Sequence, residues 1–222
     1  MNESRAAPVA APVFVVFARA PVPGQVKTRL AAELGESSAL AIYRALGQRT
    51  VNAVRRAVSM IQGARAVVYC TPPDSGDAMR AWLGSDLEIL PQDGGDLGAR
   101  MLAAIQQQLA RGATSVVVVG TDCPELDAKL LVRACESLED ADVVLGPAVD
   151  GGYYLMATRE GHAALFHDIP WSTADTLGAT LRAAERARLR AVLLDTRADI
   201  DTAADWRAWL HRDGDARPAD AM

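Results

Sequence analysis

Short apolar runs alternate with longer segments whose apolar positions recur every three to four residues, and this alternation fills most of the chain. Val13–Ala18 reads as a buried strand, as do Ala66–Cys70, Leu87–Leu90, Val116–Gly120, Val143–Leu145, Tyr153–Ala157 and Ala191–Leu194. Between them, Ser37–Met60 carries Leu40, Tyr43, Leu46, Val51, Val54 and Val58 at helical spacing. Further helices are predicted over Gly76–Leu83, Leu97–Leu109, Leu126–Leu138, Thr173–Arg188 and Thr202–Leu210. Consecutive valines from Val116 to Val119 need cover on both faces, the situation of a central parallel strand. Alternating strands and helices imply an α/β protein with an open, mostly parallel, doubly wound sheet. Ligands of such sheets sit at the carboxyl ends of the strands, so the candidate chemistry belongs to the loops beginning at Arg19, Pro91, Thr121, Gly146 and Asp195.

Composition narrows the function more than the fold. At 222 residues and 50% hydrophobic, the chain supports one substantial core: a single domain over 12–211, with flexible tails at 1–11 and 213–222. A net charge of −5 argues against a nucleic-acid partner, so any cationic site is local. No apolar run approaches the ~20 residues of a membrane span, and the opening Met1–Pro8 lacks the order of a signal peptide. Cys70, Cys123 and Cys135 show no CxxC spacing, which predicts a reduced, cytoplasmic protein with neither a disulfide framework nor a zinc site. A homodimer is among the arrangements open to it.

The first loop is the most informative. Strand Val13–Ala18 runs into Arg19, Pro21, Pro23 and Gly24, then Lys27, Thr28 and Arg29. Outward-facing loop N–H groups, the positive end of a following helix and local cations together form a phosphate site. The Gly120-Thr-Asp-Cys-Pro124 loop places Asp122 past the central strand, where it is a ligand for Mg²⁺ or Mn²⁺ or else the cap of a turn or helix. Glu125 and Asp127 read as helix N-terminal acids. Asp199 and Asp201, two apart, point the same way in extended backbone; Asp201 is a cap or a ligand, and Asp205 is structural. Two acidic clusters at two strand ends would then close around one cation, with nucleotide phosphates completing its shell.

Two more loops complete the crevice. Gln92 has a donor and an acceptor for a base edge, while Gly94 and Gly95 let a ring approach; alternatively the segment is a plain Gly-rich turn capped by Asp96. Asp150-Gly-Gly-Tyr153 forms a lip in which Asp150 is placed to act as a base or to bind a hydroxyl, or it is an ordinary hairpin turn. Trp171 stacks on an acceptor or buries itself at a helix start. No Gly-x-Ser-x-Gly elbow, Gly-x-Gly-x-x-Gly fingerprint or P-loop is present.

Five strings in one order, Ala18–Leu30, Gly94–Gly98, Gly120–Pro124, Gly146–Tyr153 and Trp171–Thr173, resemble the bacterial family DUF2064 over about Val13–Leu210. That family is also described as a glycosyltransferase associated with arsenosugar biosynthesis and with radical-SAM or selenoprotein neighbourhoods. Gln25 stands where a Lys is expected, a departure that removes one cation. The resemblance implies a GT-A-like nucleotide-diphospho-sugar transferase fold, a three-layer α/β/α domain. Within that superfamily the chain looks closest to 2-phospho-lactate guanylyltransferase and molybdenum-cofactor guanylyltransferase. It implies Ala18, Arg19, Gly24, Lys27, Arg29, Gln92, Gly94 and Gly95 for the nucleotide. Asp122 and Asp201, with Asp199 second to Asp201, would hold Mg²⁺ or Mn²⁺. Asp150, Gly151, Gly152, Tyr153 and Trp171 would face the acceptor, with Asp122, Asp150 and Lys27 the catalytic set. The family description favours metal-dependent transfer of a sugar from an NDP-sugar to a small-molecule acceptor. The basic first loop suits a triphosphate, and so the alternative: a guanylyltransferase-like condensation of an NTP with a phosphorylated small molecule. A non-catalytic nucleotide-binding protein is the third reading.

Overall fold

Alternation of the two apolar patterns produces strands and helices close to the predicted positions. The computed structural model describes residues 11–214. It runs β1 (Ala11–Arg19), α1 (Thr28–Leu34), α2 (Glu36–Met60), β2 (Arg65–Thr71), α3 (Gly76–Leu83), β3 (Glu88–Pro91), α4 (Leu97–Ala110) and β4 (Ala113–Val119). Then follow α5 (Ala128–Ser137), β5 (Val143–Pro147), β6 (Tyr153–Thr158), one 3₁₀ turn (Ala163–Leu165), α6 (Thr176–Arg186), β7 (Ala191–Leu193) and α7 (Ala203–Gly214). The strands form one seven-stranded sheet in the order β3-β2-β1-β4-β6-β5-β7. Only β6 is antiparallel, paired with β4 on one side and β5 on the other.

Period-two alternation divides each central strand between two cores. Val117 and Val119 of β4 join Phe14 and Val16 of β1 beneath α2, α3 and α5. Val116 and Val118 join Val13 and Val15 beneath α4 and α6. Four valines in a row thus have cover on both faces, as their sequence requires, and the layers are α/β/α. A third, smaller cluster packs Leu30 of α1, Ile42 and Leu46 of α2, Ile200 and Ala203 together.

Several boundaries differ from expectation. Helix α1 was not foreseen: at seven residues with Leu30 its one buried side chain, it is too short to display a period. Helix α5 starts at Ala128 rather than Leu126, because Asp127 caps it, its carboxylate accepting from Leu130 N at 2.8 Å. Helix α6 starts at Thr176 rather than Thr173. Strand β1 takes in Ala11 and α7 runs to Gly214, so regular structure reaches past both ends of 12–211. The remainder of the expected tails, 1–10 and 215–222, lies outside the described residues. Among the described residues no helix is long and apolar enough to cross a membrane.

Candidate functional site: a charged cleft at the sheet's reversal point

The chain crosses from β1 outward to β2 and β3, then returns through α4 to place β4 on the other side of β1. At such a reversal the loops leaving neighbouring strands diverge and open a crevice. A cleft of about 810 Å³ occupies that place, a size suited to a small organic ligand. Ala18, Arg19, Lys27, Arg29, Gln92, Asp122, Asp150, Gly152, Tyr153, Trp171, Asp199 and Asp201 all line it. Gly24, Gly94, Gly95 and Gly151, also expected at the site, are not in the lining; they shape the loops behind it.

At one end, residues far apart in sequence meet on a single ammonium. Lys27 Nζ lies 2.7 Å from Asp122 Oδ1 and 2.8 Å from Asp201 Oδ1, and it donates to the Ile200 carbonyl. The local causes are clear. Ile200 is buried against Leu30 and Ile42, and its N–H donates to the Asp122 carbonyl at 2.9 Å, which locks the β4 loop to the segment before α7. Thr202 and Asp205 cap α7 reciprocally: Asp205 Oδ2 accepts from Thr202 N at 2.8 Å, and Asp205 N donates to Thr202 Oγ1 at 3.2 Å. That leaves the Asp201 carboxylate free for Lys27 and outside the cap of α7. Asp122 likewise caps nothing; Asp127 does that work.

Lys27 departs from the expected arrangement, in which it faces phosphate. Its side chain is only 5% exposed and is spent on carboxylates. The physical reason is charge density: Asp122, Asp199 and Asp201 converge on this end, Asp150 adds its charge from the lip, and Lys27 is the cation that acts on them. Burial pulls the Lys27 ammonium toward deprotonation, but Asp122 and Asp201 outweigh it and raise its pKa. Asp199 is less well served. Its Oδ1 is buried without a hydrogen-bond partner, and burial, reinforced by Asp122 and Asp150, pushes its pKa up to about 7.

Arg19, Arg29 and Arg100 also line the cleft, and among the described residues none is paired with a carboxylate. Arg19 is held by Tyr43, whose hydroxyl accepts from Arg19 N at 3.0 Å and donates to Arg19 O at 2.9 Å. Sequence reasoning missed Tyr43 and Arg100. Nothing local in α2 reveals that Tyr43 reaches back to β1; Arg100 was legible, four residues past Asp96 at the start of α4. Asp96 is indeed the cap of α4, accepting from Ala99 N at 2.8 Å. Gln92 spends its amide N–H groups on the carbonyls of Ala18 and Tyr69 at 3.3 and 3.0 Å, so only its Oε1 remains for a ligand.

The opposite wall is the β5–β6 hairpin and the segment before α6. Asp150 Oδ1 accepts from Gly152 N at 2.9 Å, which fixes the lip locally. Gly151 has φ +90°, and a Cβ there would collide with the Ala174 carbonyl. Trp171 meets Tyr153 edge-on at 6.2 Å and stacks with Phe166 at 6.4 Å. Tyr153 Oη and Trp171 Nε1 are both buried without a hydrogen-bond partner.

For a divalent ion the donor chemistry fits: hard carboxylate oxygens, one of them orphaned, beside cations suited to phosphate. Among the described residues no three His, Cys, Asp or Glu side chains form a ready-made chelate, so part of any shell would come from a ligand.

Residues 44–173 match the family described as "Uncharacterized protein conserved in bacteria (DUF2064)". The chain belongs to that family. Two similar curated proteins are both named phosphoenolpyruvate guanylyltransferase. The one from Chloroflexus aggregans is 30% identical over 122 residues, covering 54% of this chain; the match spans 59% of that relative's length, less than two thirds of it. The one from Chloroflexus aurantiacus is 29% identical over 160 residues, 67% of this chain and 73% of the relative. Among solved structures, a protein from Desulfovibrio desulfuricans G20 assigned as a nucleotide-diphospho-sugar transferase superposes with a TM-score of 0.85 at 32% identity, over 92% of this chain and 88% of that one. The DUF2064 chain therefore has the GT-A-like fold of nucleotide-diphospho-sugar transferases, and its named relatives are transferases. A manganese complex of Rv0371C from Mycobacterium tuberculosis H37Rv shares the fold at 16% identity and a TM-score of 0.56, over 91% of this chain and 99% of that one.

Proposed function

We propose that this protein is a nucleotidyltransferase that condenses a nucleoside triphosphate, GTP in the first instance, with a phosphorylated small molecule and releases pyrophosphate. The observation that carries the reading is the meeting of Asp122 and Asp201 across one cation, in a cleft that also holds three arginines with no carboxylate partner among the described residues. The guanylyltransferase names of both curated relatives support it over the glycosyl reading to which the family description leans.

In this reading an oxygen of the acceptor phosphate attacks the α-phosphorus, the α-phosphorus–oxygen bond to the β-phosphate breaks, and pyrophosphate leaves. No protein nucleophile is needed; positioning and charge stabilisation carry the rate. Arg19 and Arg29 bind the triphosphate, joined by Lys27 once it leaves the carboxylates, while Asp122 and Asp201, with Asp199 behind them, would hold Mg²⁺ or Mn²⁺. The ion would supply charge neutralisation at the phosphates. The manganese-bound neighbour of the same fold is consistent with that choice. Gln92 presents Oε1, an acceptor complementary to the donor edge of guanine. Asp150, Gly152, Tyr153 and Trp171 wall the acceptor side.

The test is to incubate the purified protein with GTP, Mn²⁺ and phosphoenolpyruvate and to assay pyrophosphate and product mass. Pyrophosphate with a guanylylated product is expected. Sugar transfer from an NDP-sugar with release of the nucleoside diphosphate, and no pyrophosphate from GTP, would overturn it in favour of glycosyl transfer. The D. desulfuricans relative's nucleotide-diphospho-sugar transferase name keeps that second reading in view. Nucleotide binding without turnover of either kind would point to a non-catalytic binder.

A further inference from the structure

We propose that Lys27 is a resident counter-ion: in the free protein its ammonium takes the place of a divalent cation between Asp122 and Asp201, and it excludes the ion until a polyphosphate draws the side chain away. The release half of this proposal rests on the phosphate-binding reading given above; the occupancy half stands on the geometry alone.

Four observations converge. Lys27 Nζ sits 2.7 and 2.8 Å from the two carboxylate oxygens and also donates to the Ile200 carbonyl, an oxygen-only environment of the kind a hard cation takes. The backbone is bent to deliver it: Lys27 has φ +50° and ψ +46°, a left-handed conformation that a side-chain-bearing residue adopts at a cost. The residue type is selective, because only Lys27 and Lys129 among the 23 basic residues are lysine. An ammonium is a compact point charge that can stand in for a metal ion, whereas a planar guanidinium fork cannot sit between two carboxylates in the same way. Finally, one ammonium does not satisfy the cluster. Asp199 Oδ1 is buried with no partner, and Asp122 Oδ1 touches Lys27 as an ion pair without hydrogen-bond alignment. The pocket retains a demand for positive charge beyond what a lysine supplies.

Release has a destination in the same cleft. Arg19, Arg29 and Arg100 line it without carboxylate partners, so an incoming polyphosphate would bring negative charge beside Lys27 and compete for its ammonium. Metal and phosphate would then enter together, and the free protein would hold metal poorly.

The deciding experiment titrates Mn²⁺ alone into the full chain and follows the free-ion paramagnetic resonance signal. Lys27→Met is expected to bind Mn²⁺ at least tenfold more tightly than wild type. Arg29→Met, which removes a cleft cation that touches neither carboxylate, is expected to stay within threefold. Equal affinity in wild type and Lys27→Met overturns the proposal, as does an equal gain in Arg29→Met, which would reduce the effect to general charge. Should Lys27→Met fail to fold, wild type labelled with ¹⁵N-lysine gives only two side-chain ammonium signals. Mg²⁺ alone is expected to leave the Lys27 signal in place, and Mg²⁺ with inorganic pyrophosphate to shift it. A shift with Mg²⁺ alone, or none when pyrophosphate binding is seen by calorimetry, overturns the proposal. Loss of GTP binding with the pyrophosphate response intact would sink the guanylyl reading and leave this one standing.

Discussion

The two ends of the cleft are built on opposite plans. At the charged end, Lys27, Asp122 and Asp201 come from three separate connections and are fastened by the buried Ile200 and its backbone bond to Asp122. At the lip, Asp150 bonds only to Gly152, two residues away, and the aromatic wall leaves Tyr153 Oη and Trp171 Nε1 unpartnered. One end has its carboxylates partly paired, through Lys27, before any ligand arrives; the other holds uncharged donors in reserve. Unpaired buried donors carry a desolvation cost that a native protein seldom bears without a use for them. The difference teaches that nucleotide and acceptor would be recognised in different ways: the first by exchange of existing ion pairs, the second by satisfaction of groups left open.

The sharpest way to break this contrast is to remove a carboxylate from the charged end. Asp122→Asn is expected to lower pyrophosphate-releasing turnover at least about a hundredfold, an effect of the size seen when one charge-stabilising group is lost. The fold should persist, since Lys27 keeps Asp201 and the Ile200 carbonyl and the Asp122 side chain is 42% exposed. Steady-state kinetics beside a melting curve would check both halves. Wild-type turnover in Asp122→Asn would remove the charged end from the chemistry.

The lip is expected to yield a stability effect instead. In Gly151→Ala the new Cβ meets the Ala174 carbonyl at a residue whose φ is +90°, so crowding and backbone strain add. A loss of about 2 kcal/mol in urea unfolding is expected, together with a weaker acceptor KM and little change in nucleotide binding. Equal losses for both ligands would show that the two ends do not act separately.

How much of this was legible in the sequence follows from what each feature depends on. The five inner strands showed themselves because a doubly covered strand needs an unbroken apolar run, and the four valines of β4 are the plainest case; the partly buried edge strands β3 and β7 showed as short apolar runs between helices. Helix α1 was hidden by its length. Asp122 and Asp201 could be named because strand ends in an open sheet are where ligands go, and the structure does bring them together. That Lys27 would sit between them could not be read, since it depends on a contact spanning more than 170 positions and on a left-handed backbone that no local pattern announces. Gln92 shows the same limit: its residue type suggested a two-sided base contact, while the tertiary structure consumed its donor side.

Asp199 links the two ends, because both Asp122 and Asp150 act on it. Its pKa is raised from 3.8 to about 7, mainly by burial, so between those values the folded chain holds a proton that the unfolded chain has released. Stability of the free protein should therefore fall as pH rises from about 4 to about 7 and level off above. Asp199→Asn should flatten that slope in urea titrations across the same window. A slope of the same size in the variant would assign it to other groups.

The smallest expected effect sharpens the comparison most, because it separates a reserved donor from a merely imperfect one. Tyr153→Phe deletes a hydroxyl that faces Thr180 without a well-formed hydrogen bond and whose burial pushes its pKa well above the usual tyrosine value. With no bond to lose, the free protein should be unchanged or more stable, within about 1 kcal/mol. If the hydroxyl is held for the acceptor, the variant should bind acceptor several-fold more weakly while nucleotide affinity stays at the wild-type value. A clear loss of stability would mean that the hydroxyl has a structural partner after all. An unchanged acceptor KM would mean that the reserve at this end lies with Trp171 Nε1 and Asp150, and Trp171→Phe becomes the next variant to measure.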